Sequence, residues 1–490
     1  MRMVPCENEA INETWIADRD RFGFQGIYSE ERASQPMLRV NGELQPATWE
    51  AALAAAAEGL RNAVASHGGA AVGFLASPMA TVEELYLLSG IARGLGGRNI
   101  DHRLRQLDFR FQDREGHYPG LGLAISDVER LEGALFIGSN LRQEMPLLAH
   151  RVRKAAIRGA AKIAFLNPRR FEYLFPVAAY GVAGRDFVGE LAAVVRAAAE
   201  AAGKPLPGGL ADSPLTDTHR ALAAALMSGT RRAVILGELA QRHPQYGTLQ
   251  SLGALLAELA GASFGLLTEG ANAAGAYLAG AVPHREPGGA RAAPAGLSAR
   301  AMLEAGRQAF VLFGGLDPAA DFAVAADSLN AAEPLIAVTT HLPEGLKRLV
   351  HVVLPIGSFA ETSGTFVNIE GRWQSWRAAV RLVGESRPGW KVLRVLANLL
   401  NLPGFEYDSS EEVRDALKAL CTDRGAPETR GALASAINGA LVQDGASAQD
   451  GGGGATPGWI DVPVYQSDAL VRRSEALTKT KDGQAARTVM

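Results

Sequence analysis

The sequence contains little cysteine, with only Cys6 and Cys421 in 490 residues. A disulfide framework needs several pairs of cysteines, and the usual zinc and iron–sulfur sites need about four Cys or His ligands at short spacing. This chain alone therefore supplies neither kind of site. So few thiols are typical of a protein from a reducing cytoplasmic compartment.

Long hydrophobic runs are also missing. The N-terminal string MRMVPCENEAINETW lacks the apolar region of a secretory signal. The least polar stretch, residues 264–282, carries Glu269 among many Gly and Ala residues and is a poor membrane span. Lys and Arg number 49 and Asp and Glu 52, so the net charge is −3, which argues against a dedicated nucleic-acid binder or a basic membrane-surface protein. The sequence predicts a chain that is soluble by itself, and membership of a membrane-associated complex stays open.

Apolar residues make up 47% of the sequence, and they alternate between two patterns. Short continuous apolar runs predict buried strands at residues 70–76, 134–137, 162–166, 233–236, 309–313, 335–338 and 350–354. Amphipathic stretches predict helices at residues 82–95, 145–158, 187–202 and 246–259, and one that begins after Thr48 as N-cap. Such alternation predicts an α/β fold class with doubly wound, mainly parallel sheets covered on both faces.

Two strand–turn–helix junctions are candidate ligand sites. One is Gly138-Ser139-Asn140, and the other runs from Gly314 to Asp317. A helix N-terminus with free N–H groups suits a phosphate, and glycine allows close approach of the backbone. Neither junction is a complete GxGxxG or P-loop motif, so each could equally be an ordinary turn of an α/β protein.

The most unusual local string is FAETSGTFVNIEGRWQ, residues 359–374. Its polar residues could line a cavity, or they could satisfy the buried backbone of a bulged hairpin. His102 and His341 could act as acid or base catalysts. No GxSxG or HExxH motif accompanies them, so we favour histidines that are hydrogen-bonded within loops. Cys6 and Cys421 are interpreted as incidental thiols.

Four strings resemble one family in the same order along the chain. They are VPCENEAINETWIADRDRFGFQG, NIDHRLRQLDF, LTEGANAAGA followed by AVPHR, and VLPIGSFAETSGTFVNIEGRWQ. Together they resemble the molybdopterin-oxidoreductase-like domain of the large peripheral iron–sulfur subunits of NADH-quinone oxidoreductase (respiratory complex I), which are the 75 kDa subunit and its bacterial counterparts. The resemblance covers roughly residues 1–400, and VPVYQSDALVRRSEAL near the C-terminus is similar to the same subunits.

The resemblance implies a pocket at the ends of the strands, where related enzymes bind a bis-molybdopterin cofactor. Leu107 stands about where those enzymes have a metal-ligating Cys, selenocysteine or Ser, and leucine has no lone pair to donate to a metal. Asp108 is the less favoured substitute ligand, and molybdopterin is therefore not expected. Glu269 and Asn272 could serve the same pocket or cap a helix. The expected residues of a vestigial pocket are Gly138, Ser139, Asn140, Gly314, Asp317, Glu361, Thr362, Ser363, Gly364 and Thr365, with no catalytic and no metal-ligating residue.

The resemblance also implies a discontinuous domain arrangement. Residues 1–45 are expected to form an extended arm that belongs with a cluster-bearing part absent from this sequence. Residues 46–130 and 305–400 are expected to form one α/β domain, and residues 131–304 an inserted dinucleotide-binding-like α/β domain. Residues 401–490 are expected to be a C-terminal tail that includes a Gly-rich linker at 445–458.

The implied function is that of a scaffold which supports electron transfer from NADH to quinone by the whole complex. The full-length subunits of this family carry [2Fe-2S] and [4Fe-4S] clusters in a part that precedes the matching region, whereas no cofactor is expected in this chain. Its expected partners are the other peripheral-arm subunits and the cluster-bearing part, without nucleic acid or membrane insertion, on the cytoplasmic side of the bacterial inner membrane. The alternatives are a free-standing molybdopterin-dependent oxidoreductase and a nucleotide-binding α/β protein.

Overall fold

Two sheets of mainly parallel strands form the framework of the molecule. The computed structural model describes residues 3–206, 210, 213–421 and 465–488. The strands are β1 (Met37–Val40), β2 (Glu43–Pro46), β3 (Val72–Ala76), β4 (Ile100–Asp101), β5 (Gly133–Ile137), β6 (Lys162–Asn167), β7 (Ala179–Val182), β8 (Arg232–Leu236), β9 (Ser263–Leu266), β10 (Ala309–Phe313), β11 (Leu335–Thr339), β12 (Val352–Pro355), β13 (Gly364–Val367) and β14 (Trp373–Trp376).

The α-helices cover both faces of these sheets. They are α1 (Asp18–Phe22), α2 (Trp49–His67), α3 (Val82–Gly94), α4 (Leu141–Glu144), α5 (Pro146–Arg158), α6 (Phe187–Ala202), α7 (Asp217–Leu226), α8 (Glu238–Gln241), α9 (Tyr246–Ala260), α10 (Ala273–Leu278), α11 (Ala299–Ala305), α12 (Pro318–Asp321), α13 (Glu344–Leu349), α14 (Gly389–Leu399), α15 (Ser410–Leu420), α16 (Glu475–Thr478) and α17 (Lys481–Thr488). The Thr48 hydroxyl accepts a hydrogen bond from Ala51 N at 3.2 Å and caps α2 as predicted.

The small sheet has the strand order β7-β6-β5-β8-β9, and every pair in it is parallel. All five residues of β5 are buried, because helix α5 packs on one face of the sheet and α6, α7 and α9 pack on the other. A strand that is covered on both faces has no solvent side, so its sequence reads as one apolar run. The predicted α/β class with parallel sheets is confirmed.

The large sheet has the order β2-β1-β12-β11-β10-β3-β4. Strands β12, β11, β10, β3 and β4 run parallel, whereas β1 is antiparallel to both β12 and β2. Its strands come from two separate parts of the chain, residues 37–101 and 309–355, and the strands of the small sheet come from residues 133–266. The large sheet is therefore discontinuous in sequence, and the small sheet lies within the intervening segment.

The hairpin β1–β2 corrects one expectation for the N-terminal arm. Residues 37–46 form two antiparallel strands at the edge of the large sheet instead of an extended segment. Asn41 and Gly42 connect them with φ angles of 51° and 84°. Positive φ at both central residues is what a tight hairpin turn requires, and Asn-Gly is the residue pair that adopts it most easily.

The conformation of this turn leads to a stability prediction. We expect Gly42→Val to lower the free energy of unfolding by about 1–2 kcal/mol, because a branched side chain disfavours the left-handed region. Gly345→Ala is the matched control, since Gly345 lies in helix α13 with open space around it and without positive φ. The control is expected to stabilise by roughly 0.5–1 kcal/mol. Urea unfolding followed by circular dichroism measures both, and equal effects of the two variants would contradict the turn assignment.

The C-terminal segment 465–478 packs against residues 18–31. The Ser474 hydroxyl donates to Phe22 O at 2.9 Å, and Ala476 N donates to Gln25 Oε1 at 2.9 Å. Gly26 lies so close to Leu470 that a side chain at position 26 would collide with its backbone. This part of the predicted tail is thus built into the body of the protein, as is α15, which packs on α3. The predicted linker 445–458 lies outside the described residues.

Candidate functional site between the two sheets

A cavity lies where the carboxyl ends of both parallel sheets meet. It is lined by Pro78 and His102, which follow β3 and β4 of the large sheet, and by Glu238 and Thr268, which follow β8 and β9 of the small sheet. Ligands of open α/β proteins bind in this position, outside the carboxyl ends of the strands. The cavity has a volume of about 50 Å³, enough for a few water molecules. Pockets for organic ligands are larger, roughly 300–1,000 Å³.

Ion pairs within the protein line this cavity and continue beside it. The Arg105 guanidinium contacts Glu269 and donates to Asp321 Oδ1 at 2.5 Å. Arg472, from the C-terminal segment, donates to the same Asp321 oxygen at 2.5 Å. Arg242 contacts Glu238, one turn before it on the chain. Burial lowers the pKa of Arg105 to about 10, so the guanidinium remains charged at neutral pH.

A second polar cluster lies deeper, around Asp101. Its carboxylate accepts hydrogen bonds from Arg103 Nε and Nη2 at 2.8 and 2.9 Å and from the backbone N–H groups of His102, Arg103 and Ala299. Nearby, the Tyr277 hydroxyl donates to Glu115 Oε2 at 2.7 Å. These contacts hold the segment after β4 in place, so the buried charges act first as structural links.

Two histidines border this cluster and are both neutral at pH 7. Burial lowers the pKa of His102 to about 4, and its Nδ1 lies 3.3 Å from Ala281 O. Burial also lowers the pKa of His284, whose side chain is only 3% exposed and whose ring nitrogens lack a hydrogen-bond partner among the described residues. His341 Nε2–H donates to Gly26 O at 2.9 Å, and its Nδ1 lies 2.9 Å from the Thr340 hydroxyl oxygen. His102 and His341 are therefore hydrogen-bonded loop histidines, which is the interpretation favoured from the sequence.

The junction after β5 carries three of the predicted pocket residues. Gly138 has a φ of 60°, and a Cβ there would lie 2.6 Å from Ala240 N. Asn140 N donates to Glu144 Oε1 at 2.7 Å, and the Ser139 hydroxyl donates to Glu144 Oε2 at 3.2 Å. The carboxyl group of Glu144 therefore occupies this turn and accepts hydrogen bonds from Asn140 N and the Ser139 hydroxyl.

The buried Glu144 carboxyl predicts a pH dependence. Burial, with a further contribution from Glu238, raises the pKa of Glu144 to about 8, compared with about 4.3 in an unfolded chain. A raised acid pKa means that its stabilising contribution is complete below the unfolded pKa and is lost as the pH rises through 8. We expect the free energy of unfolding to fall less steeply between pH 5 and 8 in Glu144→Gln than in the wild type. Urea unfolding across this range tests it, with the exposed Glu172→Gln as control. A slope unchanged in Glu144→Gln would refute the assignment.

Gly314 and Asp317 lie at the corresponding turn after β10. The Asp317 carboxylate accepts from Ala319 N at 3.1 Å and caps the short helix α12. Arg472 lies 4.0 Å from the same carboxylate. Gly315, next to Gly314, packs against Ala469 of the C-terminal segment. This turn is therefore covered by residues from the end of the chain.

The predicted residues 361–365 form the end of the connection before β13 and the first two residues of that strand. The Glu361 carboxylate accepts from Ser358 N at 2.7 Å, Val383 N at 2.9 Å and Arg32 Nη2 at 2.7 Å. The Thr365 hydroxyl donates to the buried Glu83 at 2.6 Å. Gly364, the first residue of β13, packs against Thr81, and Thr362 and Ser363 lie in the connection before it. The polar side chains of this region therefore form hydrogen bonds with buried backbone N–H groups and an ion pair with the buried Arg32.

The ten predicted residues thus fall in three places, and the lining of the central cavity contains none of them. The lining instead contains Arg105, Glu238, Arg242 and Glu269, of which only Glu269 was considered as a pocket residue from the sequence. Arg105, Glu238 and Glu269 each follow the end of a strand, and Arg242 lies one turn after Glu238. No local motif connects Arg105, Glu238 and Glu269, since they come from elements far apart in the chain.

Metal ligation finds little support in this geometry. Within the described part of the chain, no three His, Cys, Asp or Glu residues are grouped so that they could hold a metal ion. Leu107 offers only its carbonyl, which accepts from Arg300 at 2.7 Å. The Asp108 carboxylate is engaged by Arg110 at 2.7 Å and by Gly247 N at 2.7 Å. Asn272, also considered for the pocket, is instead hydrogen-bonded to Ala80 O and Val367 N.

Within the residues that the structure describes, no helix has the length and apolar character of a membrane span.

Comparison with known proteins identifies similar sequences. The family model described as molybdopterin oxidoreductase matches residues 32–399. The 78 kDa subunit of mitochondrial NADH-ubiquinone oxidoreductase of Candida albicans is 25% identical over 419 residues, which are 84% of this chain and 51% of that protein. A subunit of the NADH-quinone oxidoreductase of Rickettsia felis is 25% identical over 416 residues, 84% of this chain and 54% of that protein. The alpha subunit of NADPH-Fe(3+) oxidoreductase of Geobacter sulfurreducens is 28% identical over 449 residues, covering 81% of this chain and 53% of that protein. The chain spans about half the length of these relatives.

Two solved structures share the fold. Acetylene hydratase of Pelobacter acetylenicus superposes with a TM-score of 0.54 at 13% identity, covering 86% of this chain and 72% of that chain. A chain of the formyltransferase/hydrolase complex of Methylorubrum extorquens, solved in complex with methylofuran, superposes with a TM-score of 0.52 at 17% identity, covering 75% of this chain and 98% of that chain. At these identities the likeness concerns the fold alone.

Proposed function

The chain belongs to the molybdopterin oxidoreductase family, and we propose that it is a scaffold portion of the large iron–sulfur subunit of an NADH-quinone oxidoreductase. The observation that carries this proposal is the crevice between the two sheets. In that crevice Arg105 and Arg472 both pair with Asp321, at the carboxyl ends of the strands, where ligands of open α/β proteins bind. This chain alone is accordingly not expected to be catalytic, and its contribution to electron transfer from NADH to quinone is to hold other parts of the complex.

The cofactor that the family name implies does not fit the residues present. A cavity of about 50 Å³ is too small for a pterin. The guanidinium groups that could bind its phosphates are already paired with carboxylates of this chain. At the position of the expected metal ligand, Leu107 provides no side-chain donor. We therefore assign no chemical step to molybdopterin in this protein.

The proposed partners follow from the named relatives. They are the other peripheral-arm subunits of the complex and a part that bears the [2Fe-2S] and [4Fe-4S] clusters, and we propose no nucleic acid among them. The corresponding location is the cytoplasmic side of the bacterial inner membrane, within a membrane-associated complex. Tunnelling between redox centres would then take place in the partners, and this chain would fix their relative positions.

The experiment is affinity purification of the tagged native gene product from gently solubilised membranes, followed by mass spectrometry of intact proteins. Other peripheral-arm subunits of NADH-quinone oxidoreductase are expected to co-purify. Molybdenum and pterin analysis of the same sample is expected to be negative. A chain that purifies alone contradicts the scaffold role. Stoichiometric molybdenum and pterin would instead identify a free-standing molybdopterin-dependent oxidoreductase, and a thermal shift with nucleotides would favour a nucleotide-binding protein.

The Geobacter relative supports a second candidate. It matches a similar share of this chain and is named as the alpha subunit of an NADPH-Fe(3+) oxidoreductase. An NADPH-oxidising assembly is therefore the alternative within the same structural role. The co-purified proteins distinguish the two candidates, because an NADPH-linked assembly would lack quinone-reducing membrane subunits.

A further inference from the structure

The outer face of helix α5 carries apolar side chains where solvent-facing residues are usually polar. Ile157 is 52% exposed on this face, and Trp15 from the N-terminal arm, which lies against it, is 53% exposed. Leu174, in the loop after β6, is 67% exposed. The inward side of the same helix already buries Leu148 and Val152, so the fold does not require a further apolar residue on the outward side.

These residues form one continuous surface. The Trp15 ring lies 5.3 Å from the His150 ring on α5, which fixes the arm on the helix. Arg153 Nε donates to Leu174 O at 3.2 Å and joins the loop to the helix. A groove of about 300 Å³ runs between arm and helix, lined by Trp15, His150, Arg153, Ile157 and Arg158 together with Glu13 and Lys154. We call this surface, with Leu174, the α5 face.

The charge of the α5 face is positive. Lys154 is neutralised by Glu13 at 2.5 Å and by Glu129 at 3.1 Å. Arg153 and Arg158, by contrast, are exposed and have no carboxylate partner within the described part of the chain. Two unpaired guanidinium groups therefore flank the exposed indole and Ile157, although the chain as a whole has a net charge of −3.

We propose that the α5 face is a docking surface for an acidic segment of a partner protein that places one apolar side chain in the groove. Exposed Trp and Arg are the residue types that carry most binding energy at protein interfaces. Carboxylates of the segment would pair with Arg153 and Arg158, and its apolar residue would pack on Trp15 and Ile157. The proposal deepens the scaffold role and rests on it, because it names the surface through which a partner is held.

The shape of the face favours a protein over other anionic ligands. A lipid surface is matched by a convex apolar helix face, whereas Ile157 here lies in a groove beside the rim formed by Trp15. A single nucleotide would cover the groove but not Leu174, which lies outside its lining. A partner segment covers both.

The test is photo-cross-linking in the intact native assembly. Benzoylphenylalanine replaces Ile157 in the full chain, and the cross-linked peptides are identified by mass spectrometry after purification. A cross-link to an Asp- and Glu-rich segment of a partner protein is expected. The double variant Arg153→Glu and Arg158→Glu is expected to reduce its yield about tenfold. The same probe at Leu399, exposed on α14, controls for non-specific reaction, and Arg220→Glu with Arg348→Glu controls for net charge.

Other outcomes overturn the proposal. Cross-links to a second copy of the chain, or to its own residues 422–464, would assign the face to another occupant. A cross-linking yield that the charge reversal leaves unchanged would contradict an acidic partner segment as the occupant. Binding of the chain to vesicles of anionic phospholipid as strong as its binding to the partner would contradict it too. Co-purifying subunits without any cross-link from position 157 would refute the docking surface alone, whereas absence of co-purifying subunits would refute the scaffold role as well. Far-ultraviolet circular dichroism of each variant verifies that it is folded.

Discussion

Replacement of Asp101 by alanine is expected to lower the free energy of unfolding by about 3–5 kcal/mol, because it leaves a buried guanidinium without its carboxylate. The Asp101 side chain is fully buried, and Arg103 is 6% exposed. The variant also removes the acceptor for Ala299 N, at the start of α11. Urea unfolding followed by circular dichroism measures the loss.

Two variants serve as controls for the Asp101 prediction. Asp101→Asn keeps the size and one acceptor oxygen, so a smaller loss is expected. Asp127→Ala removes an ion pair whose side chains are largely exposed, and such pairs contribute about 0.2–1 kcal/mol. Equal losses in Asp101→Ala and Asp127→Ala would show that the Asp101 cluster does not support the fold.

The pKa of Asp101 also predicts how its contribution to stability changes as the pH falls. Burial would raise the pKa of Asp101, but the Arg103 guanidinium reverses this and holds the pKa below its usual value. A depressed acid pKa stabilises the folded state above the unfolded pKa of about 3.9, and this stabilisation is lost as the pH falls through the folded pKa. The Asp101 contribution is therefore constant at neutral pH and disappears only in strong acid.

Replacement of Glu361 by alanine is expected to lower the free energy of unfolding by a similar amount, about 3–5 kcal/mol, because it removes one partner of a buried ion pair. Its side chain is fully buried, and its removal leaves Arg32, 4% exposed, without a carboxylate. It also leaves the N–H groups of Ser358 and Val383 without an acceptor. Thermal unfolding of the purified chain checks the prediction.

A double-mutant cycle isolates the pair itself. Arg32→Met, Glu361→Gln and their combination are compared, because contacting residues give non-additive effects. The combined loss is expected to be smaller than the sum of the single losses. Glu304→Ala, which removes an exposed partner of Arg300, is the surface control. Additive losses at positions 32 and 361 would contradict a direct interaction.

The parallel strands could be predicted from the sequence because each is covered on both faces. The apolar runs at β5, β10 and β11 coincide with the observed strands within about one residue. Helix α6 occupies the predicted residues, since Asp186 caps its start and Gly203 ends it in the left-handed conformation. Where local signal and burial agree in this way, sequence and fold correspond closely.

The hairpin β1–β2 escaped the sequence analysis although its signal was present. The string VNGE contains the Asn-Gly pair that favours a two-residue turn. β2 is the edge strand and β1 its neighbour, and both have mostly half-buried or exposed residues, so the continuous apolar run of the inner strands is absent. Turn chemistry was the better guide at this edge.

The site was harder to predict because its residues come together only in the folded chain. Turn geometry correctly located Gly138 and Gly314 at strand ends, but no local rule indicates that Glu144 accepts a hydrogen bond from Asn140 N. Arg105, Asp321 and Arg472 lie far apart in sequence, so their pairing depends on the whole topology. The ten residues proposed as a vestigial pocket stay a prediction.

The contact between residues 18–31 and 465–478 sets a condition on biosynthesis. Ser474 meets Phe22 across 452 positions of sequence, and Ala476 meets Gln25 across 451. Ribosomes add roughly 5–20 residues per second, so the arm emerges on the order of 20–90 s before the segment that covers it. During that interval the buried residues Gly26 and Ile27 lack their final contacts and are accessible to chaperones or proteases. Translation that stops before residue 465 would leave the first part of the chain permanently in that state.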